Sequence, residues 1–270
     1  MNSISDFQSF IWHFYKHNGR KFAWRATDNP YHILVSEIML QQTQTHRVVT
    51  KFEEFLITFS TIQSLAQASL RDVLSVWQGL GYYRRARFLH QIAKVIVDEY
   101  KSKIPQDPHI LQTFPGIGVN TAASICAFAF NMPTVFIETN IRTVFIHHFF
   151  SAQTEVTDKE LLPLVSSTVD QHNPREWYYA LMDYGVWLKN QHTNPSRKSA
   201  HYNKQTKFEG SDRQIRAAIL KLITERYMLN DVDIFTTVGA DEKRIMNIIK
   251  QLETERFVVK NNDGMYTIVE

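Results

Sequence analysis

Cysteine is almost missing: among 270 residues only Cys126 carries a thiol. An internal disulfide is therefore excluded, and so is any cluster that needs several thiolates. No apolar run approaches the ~18–20 residues needed to span a bilayer, so no membrane partner is expected. The start, MNSISDFQSF, has no basic stretch leading into an apolar one; no leader is expected, and the expected location is cytoplasmic. Strong charge is lacking too. A net charge of +3 permits a nucleic-acid partner without requiring one.

The distribution of charge says more than its sum. Residues 71–103 carry seven Lys/Arg against three acids and residues 186–210 five against one, while the last sixty carry nine against ten. The basic excess therefore lies in the first 210 residues. Apolar residues recur at helical spacing through FQSFIWHFYKH, RVVTKFEEFLITF, LRDVLSVWQGLGYY, ARFLHQIAKVIVDEY and REWYYALMDYGVWL. Proline and glycine punctuate the intervals, as at Pro30, Pro105, Pro115-Gly116 and Pro174.

This pattern predicts a mainly α protein. Residues 1–189 form a two-part all-helical domain, residues 190–210 a polar, basic linker or surface arm, and residues 211–270 a small winged-helix-like α+β domain. The last assignment rests on three helical stretches followed by FVVKNNDGMYTIV, two alternating runs around Asn-Asn-Asp-Gly. No internal repeat stands out, and a monomer is expected.

FPGIGVNTAASI, residues 114–125, places Gly116 and Gly118 in a turn that opens an apolar helix. Such a turn exposes backbone N–H groups at a helix N-terminus, where the macrodipole favours an anion such as phosphate. Thr121 follows in the first turn of that helix. In this context the stretch resembles the helix-hairpin-helix element that grips a DNA backbone without reading its sequence.

Two further motifs stand in order before it, SEIMLQQTQ at 36–44 and WQGLGYYRRARFLH at 77–90, with NPYHILVSE leading in and MDYG at 182–185. Together they resemble the helix-hairpin-helix (HhH-GPD) DNA glycosylases, and most closely those of the MutY type. The likeness covers about residues 10–190. It implies an all-helical glycosylase domain acting on double-stranded DNA with a damaged or mispaired base, which is flipped out and cut from its sugar.

Residue by residue, the resemblance implies that Glu37 is the general acid and Glu138 the carboxylate that stabilises charge on the sugar. Family members carry an aspartate at the second position, so Glu138 lengthens that side chain by one methylene. Gln41 and Gln42 align with amides that enter the duplex, and Tyr82 or Tyr83 with an aromatic wedge. Arg84, Arg85 and Arg87 are expected to meet phosphates. Asn120 stands where bifunctional relatives place a nucleophilic lysine, so a monofunctional enzyme without strong AP-lyase activity is expected, with Asn120 and Asn140 lining the base pocket.

Two departures concern the rest of the chain. The four cysteines that hold an iron–sulfur cluster in most relatives are missing between Lys189 and Lys207, so neither that cluster nor another cofactor is expected. His147 and His148 point to different faces of a helix and lack a third ligand at recognisable spacing, so no metal site is expected. Residues 211–270 are also too short for the 8-oxoguanine-reading domain of MutY-type enzymes. Glu37 and QQTQ favour adenine as the excised base. Glu138, Asn120 and the missing reader favour a pyrimidine such as 5-hydroxyuracil, uracil or mispaired thymine, and the reading leans to the pyrimidine. A non-catalytic DNA-binding protein is the alternative from another class.

Overall fold

The structure is a computed structural model describing residues 3–191, 193–202 and 207–270. In chain order its α-helices are α1 Ile4–Asn18, α2 Pro30–Leu40, α3 Thr45–Thr58, α4 Ile62–Gln67, α5 Leu70–Trp77, α6 Arg84–Glu99 and α7 Pro108–Leu111. They continue as α8 Val119–Phe130, α9 Thr139–Phe149, α10 Asp158–Thr168, α11 Pro174–Gln191, α12 Asp212–Arg226, α13 Asp231–Val238 and α14 Glu242–Thr254. A hairpin of β1 Val258–Lys260 and β2 Tyr266–Ile268 closes the chain, paired antiparallel with Val259 opposite Thr267.

Side chains at the helix starts explain many of the boundaries. Ser3, Ser69 and Asp107 each accept a hydrogen bond from a backbone N–H of the following first turn, and Thr61 and Asn230 make reciprocal capping boxes. Asn131 and Gly239 end α8 and α13 in the left-handed region.

Two compact units result, and they do not follow the linear division expected from the sequence. One joins the chain up to Glu37 with the segment from Ile104 through α11 and its continuation; the other joins Ile38–Lys103 to the C-terminal helices and hairpin. The first has an aromatic core in which the Phe7 ring meets Phe145, Phe149 and Trp177 at 5.1–6.0 Å, with Phe128 stacked on Tyr179 at 4.7 Å.

In the second unit the C-terminal residues pack onto α5 rather than standing apart. Arg71 of α5 donates to Ile223 O and Thr224 O at 2.7 and 2.8 Å, to Tyr227 O at 3.3 Å and to Thr267 Oγ1 at 2.9 Å. One guanidinium therefore satisfies two of the last carbonyls of α12, which helix geometry leaves open.

The expected basic arm is also corrected in part. Pro195–Lys198 form a short 3-10 turn, Pro195, Ser196 and Ser199 are buried, and Ser199 makes a parallel bridge with Val156. Lys198 Nζ donates to Ser151 O at 2.6 Å. His192 and residues 203–206 of that stretch lie outside the described residues.

Candidate active site

Glu37 sits in the last part of α2, a helix apolar on nearly every face. It is half-buried, and removal from water pushes its carboxyl up from 4.5 to about 7. The charge of Glu138 adds to the rise, while a hydrogen bond from Ser124 and the charge of Arg25 oppose it. Ser124 Oγ lies 2.5 Å from Glu37 Oε2.

Glu138 occupies the N-cap of α9. Its Oε1 accepts from Asn140 N at 2.7 Å and Ile141 N at 2.9 Å, and its Oε2 accepts from Asn140 Nδ2 at 3.1 Å. The longer side chain thus folds back onto its own helix start, where two backbone N–H groups and the dipole fix a negative charge. Asn140 Oδ1 is buried without a hydrogen bond within the protein. That oxygen can accept from a water or from a substrate donor.

Asn120 proves to be exposed in the first turn of α8, and its Oδ1 accepts from Ile137 N at 3.2 Å. It ties the helix start to the residues leading into Glu138. Gly116 has φ +77°, a conformation that favours glycine, and Gly118 caps α8 with open space around it. Gly118, as N-cap of α8, supplies no side-chain cap to the helix start. Thr121 is half-buried, and its carbonyl lies 3.0 Å from Ser124 Oγ.

Sequence reasoning missed the residues that hold this arrangement. Asp183, 3% exposed, accepts from Arg20 N and Nε at 2.7 Å and from Arg25 Nη1 and Nη2 at 2.8 and 2.9 Å. Arg25 also lies over the Tyr179 ring, 4.4 Å from its centroid. A Cβ on Gly185 would come within 2.4 Å of Asn140 O. The Asp-x-Gly of MDYG therefore anchors the entry to α2 with one residue and admits α9 with the other. The motif was visible, but its two partners are more than forty positions away.

Of the residues expected to touch DNA, Gly116, Gly118 and Thr121 belong to the first unit, whereas Gln41, Gln42, Tyr82, Tyr83 and the three arginines belong to the second and are placed differently from one another. Gln41 is half-buried, whereas Gln42 is exposed with φ +54°. Tyr82, at φ +47°, is partly exposed, and its hydroxyl accepts from Arg213 Nη1 at 3.1 Å; Tyr83 is buried.

The arginines correct the expectation of phosphate contacts. Arg85 is 7% exposed and donates to Ile38 O, Met39 O, Gln41 O, Thr43 Oγ1, Leu80 O and Gly81 O. It pins the Gln41–Thr43 turn to the Leu80–Gly81 turn. Arg84 pairs with Glu255 at 2.8 and 2.9 Å, and Arg87 donates to Glu255 O. Periodicity could not distinguish a clamp from a phosphate ligand, because both are arginines at the start of a helix.

Comparison with known proteins accords with this geometry. The all-helical fold is shared with a thermostable thymine-DNA glycosylase, at TM-score 0.63 and 22% identity over 72% of this chain and 91% of that one. Residues 35–166 match the model of the HhH-GPD superfamily base excision DNA repair protein. The adenine DNA glycosylase of Mycolicibacterium smegmatis is 30% identical over 240 residues, 83% of this chain and 81% of that protein. That of Buchnera aphidicola subsp. Baizongia pistaciae is 33% identical over 184 residues, 67% of this chain but 52% of that protein. The chain belongs to the HhH-GPD superfamily of base excision DNA repair proteins.

Proposed function

We propose that the protein is a monofunctional DNA N-glycosylase that removes adenine from a mispair in double-stranded DNA. The observation that carries the reading is Glu37, a carboxyl poised at about 7 within reach of the charge of Glu138. A proton donated from Glu37 to a ring nitrogen of the flipped base turns that base into a neutral leaving group as the bond to C1′ breaks. Glu138, held as an N-cap, faces the positive charge that grows on the sugar. Water then adds to C1′ as hydroxide, its other proton returning to the Glu37 carboxylate, and Asn140 Oδ1 is an acceptor suited to orient it. The product is an abasic site and free adenine.

The base assignment departs from the lean toward a pyrimidine. Curated relatives that match the chain carry the name adenine DNA glycosylase, which supports the adenine alternative. A pyrimidine remains the second reading, supported by glutamate at position 138 where family members carry aspartate and by residues 211–270 being short for the 8-oxoguanine-reading domain of MutY-type enzymes. Asn120 offers no amine to form a Schiff base, which supports excision without strong AP-lyase activity. The residues present do not fit the iron–sulfur cluster of many relatives: Cys126 is the single thiol, and it donates to Gln106 O at 3.3 Å inside the fold.

The test is base release from duplexes carrying adenine opposite 8-oxoguanine, or uracil, thymine or 5-hydroxyuracil opposite guanine, each analysed with and without alkali. Adenine release with strand breaks only after alkali is expected, and Glu37→Gln should abolish it. Release of a pyrimidine alone would replace the adenine reading. No release from any duplex, with DNA binding intact, would leave a binding protein.

A further inference from the structure

Ser124 lies on α8, 4% exposed, with its hydroxyl between two acceptors. Glu37 Oε2 is 2.5 Å away and Thr121 O is 3.0 Å away. A hydroxyl has one proton, so it cannot donate to both at once. We propose that Ser124 is a positioning residue that donates to Glu37 Oε2, directs the transferable proton to Oε1, and strengthens its own bond as that proton leaves.

In the competent form Oε1 carries the acidic proton and Oε2 accepts from Ser124. When the Oε1 proton moves to the base, the electron pair stays on the carboxylate, and the Ser124 bond changes from neutral to charge-assisted. Charge-assisted hydrogen bonds are about twice as strong as neutral ones, so the stabilisation grows along the reaction coordinate. The competing tautomer places the proton on Oε2, which then donates to Ser124 while Ser124 donates to Thr121 O. That form holds the proton away from the base. Ser124 thus ties the choice of carboxyl oxygen to the direction of its own O–H.

The other groups acting on Glu37 are Glu138 at the start of α9, Arg25 before α2 and Tyr179 on α11. Among them, Ser124 is the group that hydrogen-bonds the Glu37 carboxyl directly. The inference rests on Glu37 being the general acid, and its test separates the two ideas.

The experiment compares wild type, Ser124→Ala, Ser124→Thr and Glu37→Gln in single-turnover excision across pH, on the duplex identified by the base-release panel. Binding to a duplex with a tetrahydrofuran abasic analogue checks that each variant is folded. Infrared difference spectra against Glu37→Gln read the protonated carboxyl stretch. Ser124→Ala is expected to lower the plateau rate roughly tenfold and to move the alkaline limb up by roughly one pH unit. Its carboxyl stretch should shift to higher frequency, and Ser124→Thr should restore wild-type behaviour. An unchanged plateau, limb and stretch in Ser124→Ala, with Glu37→Gln inactive, would overturn the role of Ser124 alone. Excision surviving in Glu37→Gln would overturn the general-acid reading and this one with it.

Discussion

In the proposed reaction Glu37 serves reactivity at the expense of stability. Its carboxyl rises from 4.5 to about 7 on folding, chiefly because the protein removes it from water. Between those values the folded chain binds the proton more tightly than the unfolded chain, so stability contributed at low pH is lost as pH rises through about 7. Discounted for partial exposure, the loss is on the order of 1–2 kcal/mol. Glu37→Gln should therefore raise the melting temperature at pH 8 and leave it nearly unchanged at pH 4, as calorimetry at the two pH values would show. An equal rise at both would point to packing instead of charge. Over the same range, the proposed excision should decline as pH passes about 7.

At the scale of elements, two close approaches stand out, one within each unit. Gly185 lets α11 meet the first turn of α9 backbone to backbone, since a Cβ would come within 2.4 Å of Asn140 O. Gly185→Ala should force the helices apart, cost about 2–4 kcal/mol in denaturant unfolding and lower excision by more than tenfold, because Glu138 and Asn140 ride on that turn. The second approach is made by Arg85, which serves six oxygens, two at the end of α2 and four in the two turns. Arg85→Met should destabilise the protein by ~3 kcal/mol or more, because buried carbonyls lose their donor. Arg85→Lys should recover only part of this, since an ammonium lacks the planar fork. A full recovery of melting temperature in Arg85→Lys would show that charge, not fork geometry, holds the turns.

For the whole molecule, the C-terminal residues change the meaning of the basic segment at 71–103. Arg71 caps α12, while Arg84 and Arg216 both pair with Glu255. These cations are paired within the second unit, which predicts a small contribution to phosphate binding. Replacing Arg87 by alanine should change the slope of log K against log salt by well under ~1, the change expected for one lost phosphate contact. A slope reduced by a full contact, measured by salt titration of duplex binding, would return Arg87 to the DNA interface.

Helical periodicity, breakers and the hairpin signal around Asn261–Gly264 were enough to establish a mainly helical chain with a small C-terminal sheet. The three ordered motifs led to Glu37 and to the family, because local spacing on one helix or one turn is written directly in the sequence. Long-range pairing is not. Asp183 finds Arg20 and Arg25, Ser124 finds Glu37, and Arg71 finds α12 only after the chain folds. The same distinction separates the linear domain division from the two compact units, since Ile38–Lys103 joins a segment begun a hundred residues later. By itself the sequence determined the elements, the signature motifs and the absence of multiple thiol ligands. Tertiary structure alone decided which arginines are clamps, how Glu138 is aimed and what surrounds Glu37, because those outcomes depend on burial and on partners remote along the chain.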